Sequence, residues 1–378
     1  MVETKREVYS VKIFTVVGAR PQFIKAAVVS RAIEEFNQTV SSREGIEEVL
    51  VHTGQHYDDN MSDVFFKEMQ IPIPRYHLGI GGGMHGAMTG RMLESLEGLM
   101  LEEKPDVVLV YGDTNSTLAG ALAAAKLCIP VAHVEAGLRS YNMQMPEEIN
   151  RILTDRVSRR LFCPTETAVN NLKREGAGEW PGVQVHNVGD VMYDAALFYC
   201  KQARAGQIVA ELLERHKKGF YLATVHRQEN TDDPVRLGSI ITTLDKIAEK
   251  LPVILPVHPR TRKNLNRIGT DIKNIVCIEP VGYFDMICLL DNCRAVFTDS
   301  GGVQKEAYFF HKPCITLRDE TEWVELVEHG YNCLVGAERE LILAAEKEFV
   351  QRTRDYSIPL YGDGRAGERI VDILHRLR

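Results

Sequence analysis

Two series of short, β-branched apolar runs alternate with helical patterns along this chain. The strands predicted for the first series lie at 11–17, 48–52, 106–111 and 130–134. Those predicted for the second lie at 219–225, 253–257, 275–278, 295–298 and 314–317. Near-continuous apolar strands separated by helices are typical of parallel β-α-β units covered on both faces. The chain is therefore predicted to form two doubly wound α/β sheets.

The length of the chain supports two separate cores, because 378 residues exceed what one hydrophobic core usually serves. We predict a Rossmann-like domain over 1–190 and a second over 191–365, facing each other across a cleft. A helix predicted over 190–214 links them. The spacing of the last helix, 366–378, leaves open whether it packs back on the first domain.

Composition excludes several functions. A net charge of −7 gives no global basic field, so nucleic acid is not an expected partner. The eight cysteines are scattered without a Cys-x-x-Cys pair, which indicates buried thiols in a reducing compartment and no zinc site. With no visible signal peptide and no membrane-length apolar run, we expect a cytoplasmic protein without a membrane partner or a metal.

Charged residues crowd the end of the strand at 130–134. Glu135 follows it directly, and Glu147 and Glu148 come soon after. Carboxylates at one sheet edge repel each other unless cations offset them, and Arg139 and Arg151 supply cations. A structural salt-bridge network is one interpretation of this cluster, and acid–base catalysis is the other.

Two further strand ends of the first series carry polar groups. Asp113 alone reads as a helix N-cap, but beside Glu135 it joins the predicted acid/base cluster. After the first strand, Arg20 and Lys25 flank Pro21 at the start of a helix. Cations at a helix N-terminus favour an anion site, with a turn bearing two solvated cations as the alternative.

In the second series, the strand predicted at 295–298 is followed by a pattern typical of phosphate binding. Ser300, Gly301 and Gly302 lie where a strand gives way to a helix, so the backbone can approach a phosphate closely. Glu306, one turn later, is placed to accept hydrogen bonds from ribose hydroxyls. The other candidates at strand ends in this series are His226, Arg227 and His258.

Seven motifs, in order over essentially the whole chain, resemble those of the non-hydrolysing UDP-N-acetylglucosamine 2-epimerase family. They are Gly18-Ala-Arg-Pro, Tyr111-Gly-Asp-Thr, His133-Val-Glu-Ala-Gly-Leu-Arg, Pro146-Glu-Glu-Ile-Asn-Arg, Val225-His-Arg-x-Glu-Asn, Asp299-Ser-Gly-Gly-Val-Gln and Tyr361-Gly-Asp-Gly. The resemblance implies a GT-B fold, a homodimer, no cofactor, and inversion at C2 of a UDP-2-acetamido sugar. The reaction so implied eliminates UDP in the anti sense to give a 2-acetamidoglycal, then adds UDP back.

The resemblance also implies roles for residues. The acid/base set is Asp113, Glu135, Glu147 and His226, with Arg151 in support. The UDP ligands are Arg20, Lys25, His258, Ser300, Gly301, Gly302 and Glu306. Further sugar or regulatory contacts are Arg139, Arg227, Gln55, His56, Arg91, Arg318 and Glu322, of which Gln55, His56 and Arg91 match an activating UDP-GlcNAc site of some bacterial members.

Two departures from the common family pattern bear on the substrate. Gln22 replaces an acidic residue, and Trp323 and Val324 replace Arg-Pro. Both features, with the motifs Gly18-Ala-Arg-Pro-Gln-Phe-Ile-Lys and Gly302-Val-Gln-Lys-Glu-Ala, are similar to the branch that acts on UDP-2,3-diacetamido-2,3-dideoxyglucuronate in surface polysaccharide or glycan synthesis. A charge lost at Gln22 suits a carboxylated sugar, whereas the Arg missing at Trp323 argues the other way. UDP-GlcNAc is the alternative substrate, and a GT-B glycosyltransferase, a hydrolysing epimerase and an inactive UDP-sugar sensor are the rival functions.

Overall fold

The computed structural model of the protein describes residues 10–41, 43–55 and 70–377. The chain forms two compact units, one of residues 1–195 with 360–378 and one of residues 196–359. Each unit is built on one parallel sheet flanked by helices. The predicted α/β class with two doubly wound sheets is confirmed.

The first unit contains seven described strands. They are β1 (Val11–Val17), β2 (Ile46–His52), β3 (Tyr76–His77), β4 (Val107–Tyr111), β5 (Val131–Val134), β6 (Arg160–Cys163) and β7 (Gln184–Asn187). Its helices are α1 (Arg20–Thr39), α2 (His85–Glu103), α3 (Asn115–Lys126), α4 (Pro146–Val157), α5 (Glu166–Arg174), α6 (Val191–Cys200, which crosses the unit boundary) and the terminal α15 (Ala366–His375).

The strand order of the first sheet is β3-β2-β1-β4-β5-β6-β7, with every pair parallel. The chain runs outward from β1 in one direction, then returns and runs outward from β4 in the other. In such sheets ligands bind at the carboxyl ends of the strands where the order reverses. The segments that follow β1 and β4 are therefore the expected site of the first unit.

The second unit repeats this plan. Its strands are β8 (Tyr221–Thr224), β9 (Val253–Pro256), β10 (Val276–Ile278), β11 (Ala295–Thr298), β12 (Cys314–Thr316) and β13 (Asn332–Leu334), in the order β10-β9-β8-β11-β12-β13. Its helices are α7 (Gln207–Arg215), α8 (Gln228–Thr231), α9 (Pro234–Ala248), α10 (Pro259–Ile268), α11 (Tyr283–Asn292), α12 (Gly301–Phe309), α13 (Val324–Glu328) and α14 (Arg339–Ala344), which runs into a π-helix (Ala345–Phe349). The strand order reverses between β8 and β11.

Buried apolar faces explain why these elements form. All five residues of β4 are buried, as expected for a central strand covered on both sides. On α2, Met88, Met92, Leu96 and Met100 recur at every fourth position and pack in one core cluster with the sheet. None of the helices in the described ranges is long and apolar enough to span a membrane.

The sequence-based prediction differs from the structure at the link between the series. The single helix predicted over 190–214 is wrong, because it is divided into α6 and α7 by residues 201–206. Gly206 precedes α7, and its amide donates to Asp285 Oδ1 at 2.7 Å, which fixes a new helix start. The short strands β3, β6, β7 and β13 were also not predicted.

The terminal helix α15 packs against α1 in the first unit. Gly367 lies against Val28, where an added Cβ would be 2.9 Å from a Val28 methyl carbon, so the helices approach closely. The Gly367 amide donates to Asp194 Oδ2 at 2.9 Å, which fastens the start of α15 to α6. Asp194 Oδ1 has no hydrogen-bond partner within the described ranges.

Replacing Asp194 by Asn is expected to stabilise the protein at alkaline pH. Burial raises the pKa of Asp194 to about 6 from an ordinary 3.8. Because the folded carboxyl binds its proton more tightly than the unfolded one, its ionisation removes stability as the pH rises through about 6. We expect Asp194→Asn to raise the free energy of unfolding by about 2 kcal/mol at pH 8 and by little near pH 4. Urea denaturation at both values measures this, and a gain that is equal at both pH values would contradict it.

Candidate active site

Close packing shapes the end of β1. An added Cβ on Gly18 would lie 2.0 Å from Ser116 Oγ and 2.3 Å from Thr53 Oγ1, so only glycine fits there. The Thr53 and Ser116 hydroxyls are 2.8 Å apart and buried. Gln55 Oε1 accepts from the Ser116 amide at 2.9 Å and from its hydroxyl at 2.7 Å. These contacts hold the start of α3 against the end of β1.

Gln22 is a structural bridge within this edge of the sheet. Its side-chain oxygen accepts from the amides of Gly18 and Ala19, at 2.8 and 3.0 Å. Its nitrogen donates to the Tyr111 carbonyl at 2.7 Å and to Thr117 Oγ1 at 2.9 Å. A carboxylate has no proton to donate to that carbonyl, and Gln22 is only 2% exposed. The neutral side chain therefore has a structural role at this edge of the sheet, and its bearing on a carboxylated sugar stays a prediction.

Lys25 and Glu135 form an ion pair at the carboxyl ends of the central strands. Lys25 Nζ donates to Glu135 Oε2, and both side chains are largely buried. Glu135 has a φ of +74°, a left-handed conformation that is uncommon in a residue with a side chain. Backbone strain of this kind clusters at functional sites. Sequence analysis assigned Lys25 to UDP, whereas the structure places it on the predicted acid/base residue.

Arg151 joins the other carboxylates of the cluster. Its guanidinium donates to Asp113 Oδ2 and, at 2.7 Å, to Glu148 Oε2. Glu148 is fully buried and also accepts from the Ser140 amide, so it stabilises the loop before α4. Glu147, in the first turn of α4, is exposed and has no ion pair or hydrogen bond with the described residues. Asp113 and Arg151 are thus brought together, whereas Glu147 forms no hydrogen bond or ion pair with either of them.

The Arg139 side chain forms ion pairs within the first unit. Its guanidinium donates to Glu175 at 2.7 and 2.8 Å and to Asp155 Oδ2 at 2.8 Å, and its side chain is 1% exposed. These ion pairs raise the pKa of Arg139, although its burial opposes them. The prediction that Arg139 contacts the sugar is corrected, because the group is sealed within a salt-bridge network.

Asp299 organises the corresponding edge of the second unit. This buried carboxylate accepts from the amides of His226 and Arg227, each at 3.0 Å, and from Asn230 Nδ2 at 3.1 Å. Desolvation lowers the pKa of the His226 imidazole, and the charges of Arg227 and His258 lower it further against the opposing charge of Asp299. A lowered pKa leaves His226 neutral at pH 7, able to accept a proton.

The predicted phosphate turn opens α12. The helix begins at Gly301, directly after β11 and Ser300, so its first amide groups lie at the carboxyl edge of the sheet. An added Cβ on Gly301 would lie 2.3 Å from Glu322 Oε1. Glu322 accepts from Arg318 Nη1 at 2.9 Å. Burial would raise the pKa of Glu322, but the Arg318 charge holds it below its ordinary value.

The remaining predicted ligands of the second unit lie around this turn and at the next strand end. Gly302 is exposed and Glu306 is largely buried on α12. His258 caps α10, its Nδ1 accepting from the Arg260 amide at 3.3 Å. Trp323, at the position that departs from the common pattern, carries the Lys305 ammonium 4.2 Å from its ring centre. Two residues typical of the diacetamido branch thus contact each other.

Of the three predicted regulatory positions, Gln55 and Arg91 lie in the described residues. Arg91 is exposed on α2 and donates to the Gly82 carbonyl at 3.3 Å. Gln55 contacts Ser116 as described above, and His56 lies outside the described residues. Arg20, predicted for UDP, begins α1 at the end of β1 and is half-buried.

A pocket of about 520 Å³ lies at the opposite edge of the first sheet. Residues 128–130, 156–159 and 180–183 line it, and these precede β5, β6 and β7. Arg156 packs over the Trp180 ring at 4.3 Å. None of the predicted site residues lies in this pocket, so it is not the candidate active site.

Sequence reasoning missed the buried groups that hold the site. Asp299 begins the Asp-Ser-Gly-Gly-Val-Gln motif, yet its hydrogen-bond donors lie in a loop 69–73 residues earlier in the chain. Asn150 donates to the Asp113 carbonyl at 2.9 Å and to Asn115 Oδ1 at 3.2 Å. Asn150 was not predicted because it lies only two and three residues after Glu148 and Glu147, whose charges drew the prediction.

Comparison with known proteins decides the family. The model of the UDP-N-acetylglucosamine 2-epimerase family matches residues 38–375. The chain is 56% identical to UDP-2,3-diacetamido-2,3-dideoxy-D-glucuronate 2-epimerase of Pseudomonas aeruginosa, over 97% of this chain and 100% of that protein. The chain belongs to the UDP-N-acetylglucosamine 2-epimerase family. It is therefore an isomerase of the UDP-sugar 2-epimerase kind.

Other members are similar over their whole lengths. A UDP-N-acetylglucosamine 2-epimerase homologue of Methanococcus maripaludis is 51% identical, over 97% of this chain and 100% of that protein. The Methanocaldococcus jannaschii UDP-GlcNAc 2-epimerase, crystallised with UDP-GlcNAc and UDP, superposes with a TM-score of 0.84 at 44% identity, covering 96% of this chain and 99% of that one. This likeness confirms the predicted GT-B fold class.

Proposed function

We propose that this epimerase acts on UDP-2,3-diacetamido-2,3-dideoxyglucuronate, interconverting its gluco and manno forms. The identity of 56% to the P. aeruginosa enzyme of that name supports this substrate. The contact between Lys305 and Trp323 supports it as well, because both residues follow the pattern of that branch. UDP-GlcNAc is the second candidate, favoured by the relative at 51% identity.

The geometry that supports this chemistry best is the pairing of Asp113 and Glu135, each with a cation, at neighbouring strand ends. The C2 proton of a 2-acetamido sugar has no adjacent carbonyl and is too weakly acidic for direct removal. When the C1–O bond to UDP breaks, oxocarbenium character at C1 acidifies that proton, and a carboxylate can accept it. The resulting 2-acetamidoglycal regains a proton on its other face and UDP on C1.

We assign the acid/base steps to Asp113, Glu135, Glu147 and His226, with Arg151 in support. Arg151 and Lys25 balance the charges of the two paired carboxylates. His226 suits proton transfer because its pKa is lowered, chiefly by desolvation. Glu147 is free to meet a sugar, since it is exposed and has no partner in the described part of the chain.

UDP retention is assigned to the second unit. The amides at the start of α12 provide donors for a phosphate, and the helix dipole favours its charge. We propose Ser300, Gly301, Gly302, Glu306 and His258 as ligands there. Arg20 and Lys25, in the first unit, are also proposed as UDP ligands. Holding UDP after C1–O cleavage is what separates epimerisation from hydrolysis.

Assembly and location are inferred from the family. We propose a homodimer, which the exposed apolar side chains of Ile149 and Leu153 on α4 support. A cytoplasmic location suits the use of a nucleotide-sugar substrate.

Gln55, His56 and Arg91 are proposed as a regulatory contact for UDP-GlcNAc, and Arg227, Arg318 and Glu322 as sugar or phosphate contacts.

The substrate assignment is tested by incubating the enzyme with each UDP-sugar separately and following the anomeric signals by proton NMR. We expect the manno signal to grow from UDP-2,3-diacetamido-2,3-dideoxyglucuronate with a kcat/KM at least about tenfold above that for UDP-GlcNAc, which is a difference of 1.4 kcal/mol in transition-state stabilisation. A preference of that size for UDP-GlcNAc would reverse the assignment.

A further inference from the structure

His133 lies on β5, two residues before Glu135, and is completely buried. Its Nε2 is 2.7 Å from the Gly112 carbonyl oxygen, and its Nδ1 is 2.7 Å from Asp155 Oδ1. A carbonyl oxygen accepts hydrogen bonds and never donates them. Nε2 therefore carries a proton.

The partner of Nδ1 is an ionised carboxylate. Asp155 Oδ2 accepts from Arg139 Nη1 at 2.8 Å and from the Gly137 amide at 3.1 Å. Burial alone would raise the pKa of Asp155, but the hydrogen bond and charge of His133, followed by those of Arg139, hold it below its ordinary value. His133 Nδ1 and Arg139 Nη1 therefore share Asp155 as a partner, one at each carboxylate oxygen.

A buried ion pair holds Asp155 against the ring. Arg139 donates to Asp155 Oδ2, and both side chains are almost completely buried. The Arg139 guanidinium also donates twice to Glu175, which is exposed. The buried pair is therefore neutral by itself, and it fixes the Asp155 carboxylate that contacts Nδ1 of His133.

We propose that His133 is a positioning residue for the acid/base carboxylates. Its bond to the Gly112 carbonyl fixes a peptide unit with a φ of +64°, immediately before Asp113. An added Cβ on Gly112 would lie 3.3 Å from Glu135 Oε2 and 3.4 Å from Lys25 Nζ, so this backbone adjoins the ion pair. The ring therefore fixes the backbone that precedes Asp113 and adjoins Glu135. This inference rests on the proposed function.

Two variants test whether the hydrogen bond from His133 to the Gly112 carbonyl positions the carboxylates. In His133→Gln the amide nitrogen can still donate to the Gly112 carbonyl, whereas in His133→Asn the shorter side chain reaches only Asp155. We expect His133→Asn to lower kcat for C2 deuterium exchange about 100-fold, the loss typical of a misplaced reacting group, with KM changed less than threefold. His133→Gln is expected to retain at least ten times more activity. A His133→Asn enzyme with wild-type kcat would overturn the proposal.

The hydrogen bond at Nε2 is measured independently on the intact wild-type enzyme. Nitrogen-15 NMR of histidine-labelled protein, assigned by the signal missing from His133→Gln, is expected to show a proton on Nε2 of His133. An Nε2 without a proton would overturn the proposal, and this measurement decides alone if the Asn variant does not fold. Absence of C2 exchange in the wild type would instead defeat the proposed function.

Discussion

Replacing Glu135 by Gln is expected to lower the rate of C2 deuterium exchange on the order of 10³-fold, the size of effect typical of a lost general acid or base. The amide keeps the shape of the side chain and still offers Lys25 an oxygen, but it cannot accept the C2 proton. UDP affinity is expected to stay within about threefold, because the proposed phosphate ligands lie mostly in the second unit. Exchange is measured by proton NMR in D2O and UDP binding by calorimetry.

The matched control is Glu166→Gln on α5, an exposed carboxylate that pairs with Lys173 at 3.6 Å. It should exchange C2 hydrogen at the wild-type rate. An active Glu135→Gln enzyme would remove Glu135 from the acid/base set. Its left-handed φ would then be a feature of the loop alone.

Replacing Asp299 by Ala is expected to destabilise the protein by about 3 kcal/mol, since it leaves buried donors unsatisfied. Three N–H groups lose their acceptor: the amides of His226 and Arg227, and Asn230 Nδ2. Because the backbone at His226 loses the hydrogen bonds that hold it, the imidazole should also lose its position. We therefore expect kcat to fall even where the protein remains folded. Calorimetric unfolding and the exchange assay measure the two effects.

Two controls accompany this variant. Asp299→Asn keeps one acceptor oxygen and should cost less than Ala, about 1 to 2 kcal/mol. Asp271→Asn, an exposed residue beside Lys273, should change neither stability nor rate. Stability equal to wild type in Asp299→Ala would show that the His226 turn is held by other contacts.

The strands were predictable because the central strands are mostly apolar, as expected for strands buried on both faces. The switch points also followed from the order of strands and helices, which placed Asp113, Glu135 and Ser300 at strand ends. The short strands β6 and β7 were missed because polar residues interrupt their apolar pattern: β6 begins with Arg160, and β7 contains Gln184, His186 and Asn187.

Pairings between distant residues were beyond sequence reasoning. Nothing local to Gln22 shows that it joins the end of β1 to the Tyr111 carbonyl, 89 residues away. The same holds for Lys25, which was expected to bind an anion and instead meets Glu135 across 110 residues. Such contacts depend on which strands become neighbours, and side-chain spacing alone does not encode them.

The most direct measurement follows wild-type enzyme with UDP-2,3-diacetamido-2,3-dideoxyglucuronate in D2O by proton NMR. The account predicts deuterium at C2 of both epimers, with the sugar still joined to UDP. Failure to exchange on this and every other UDP-2-acetamido sugar would contradict it, and so would net release of free UDP.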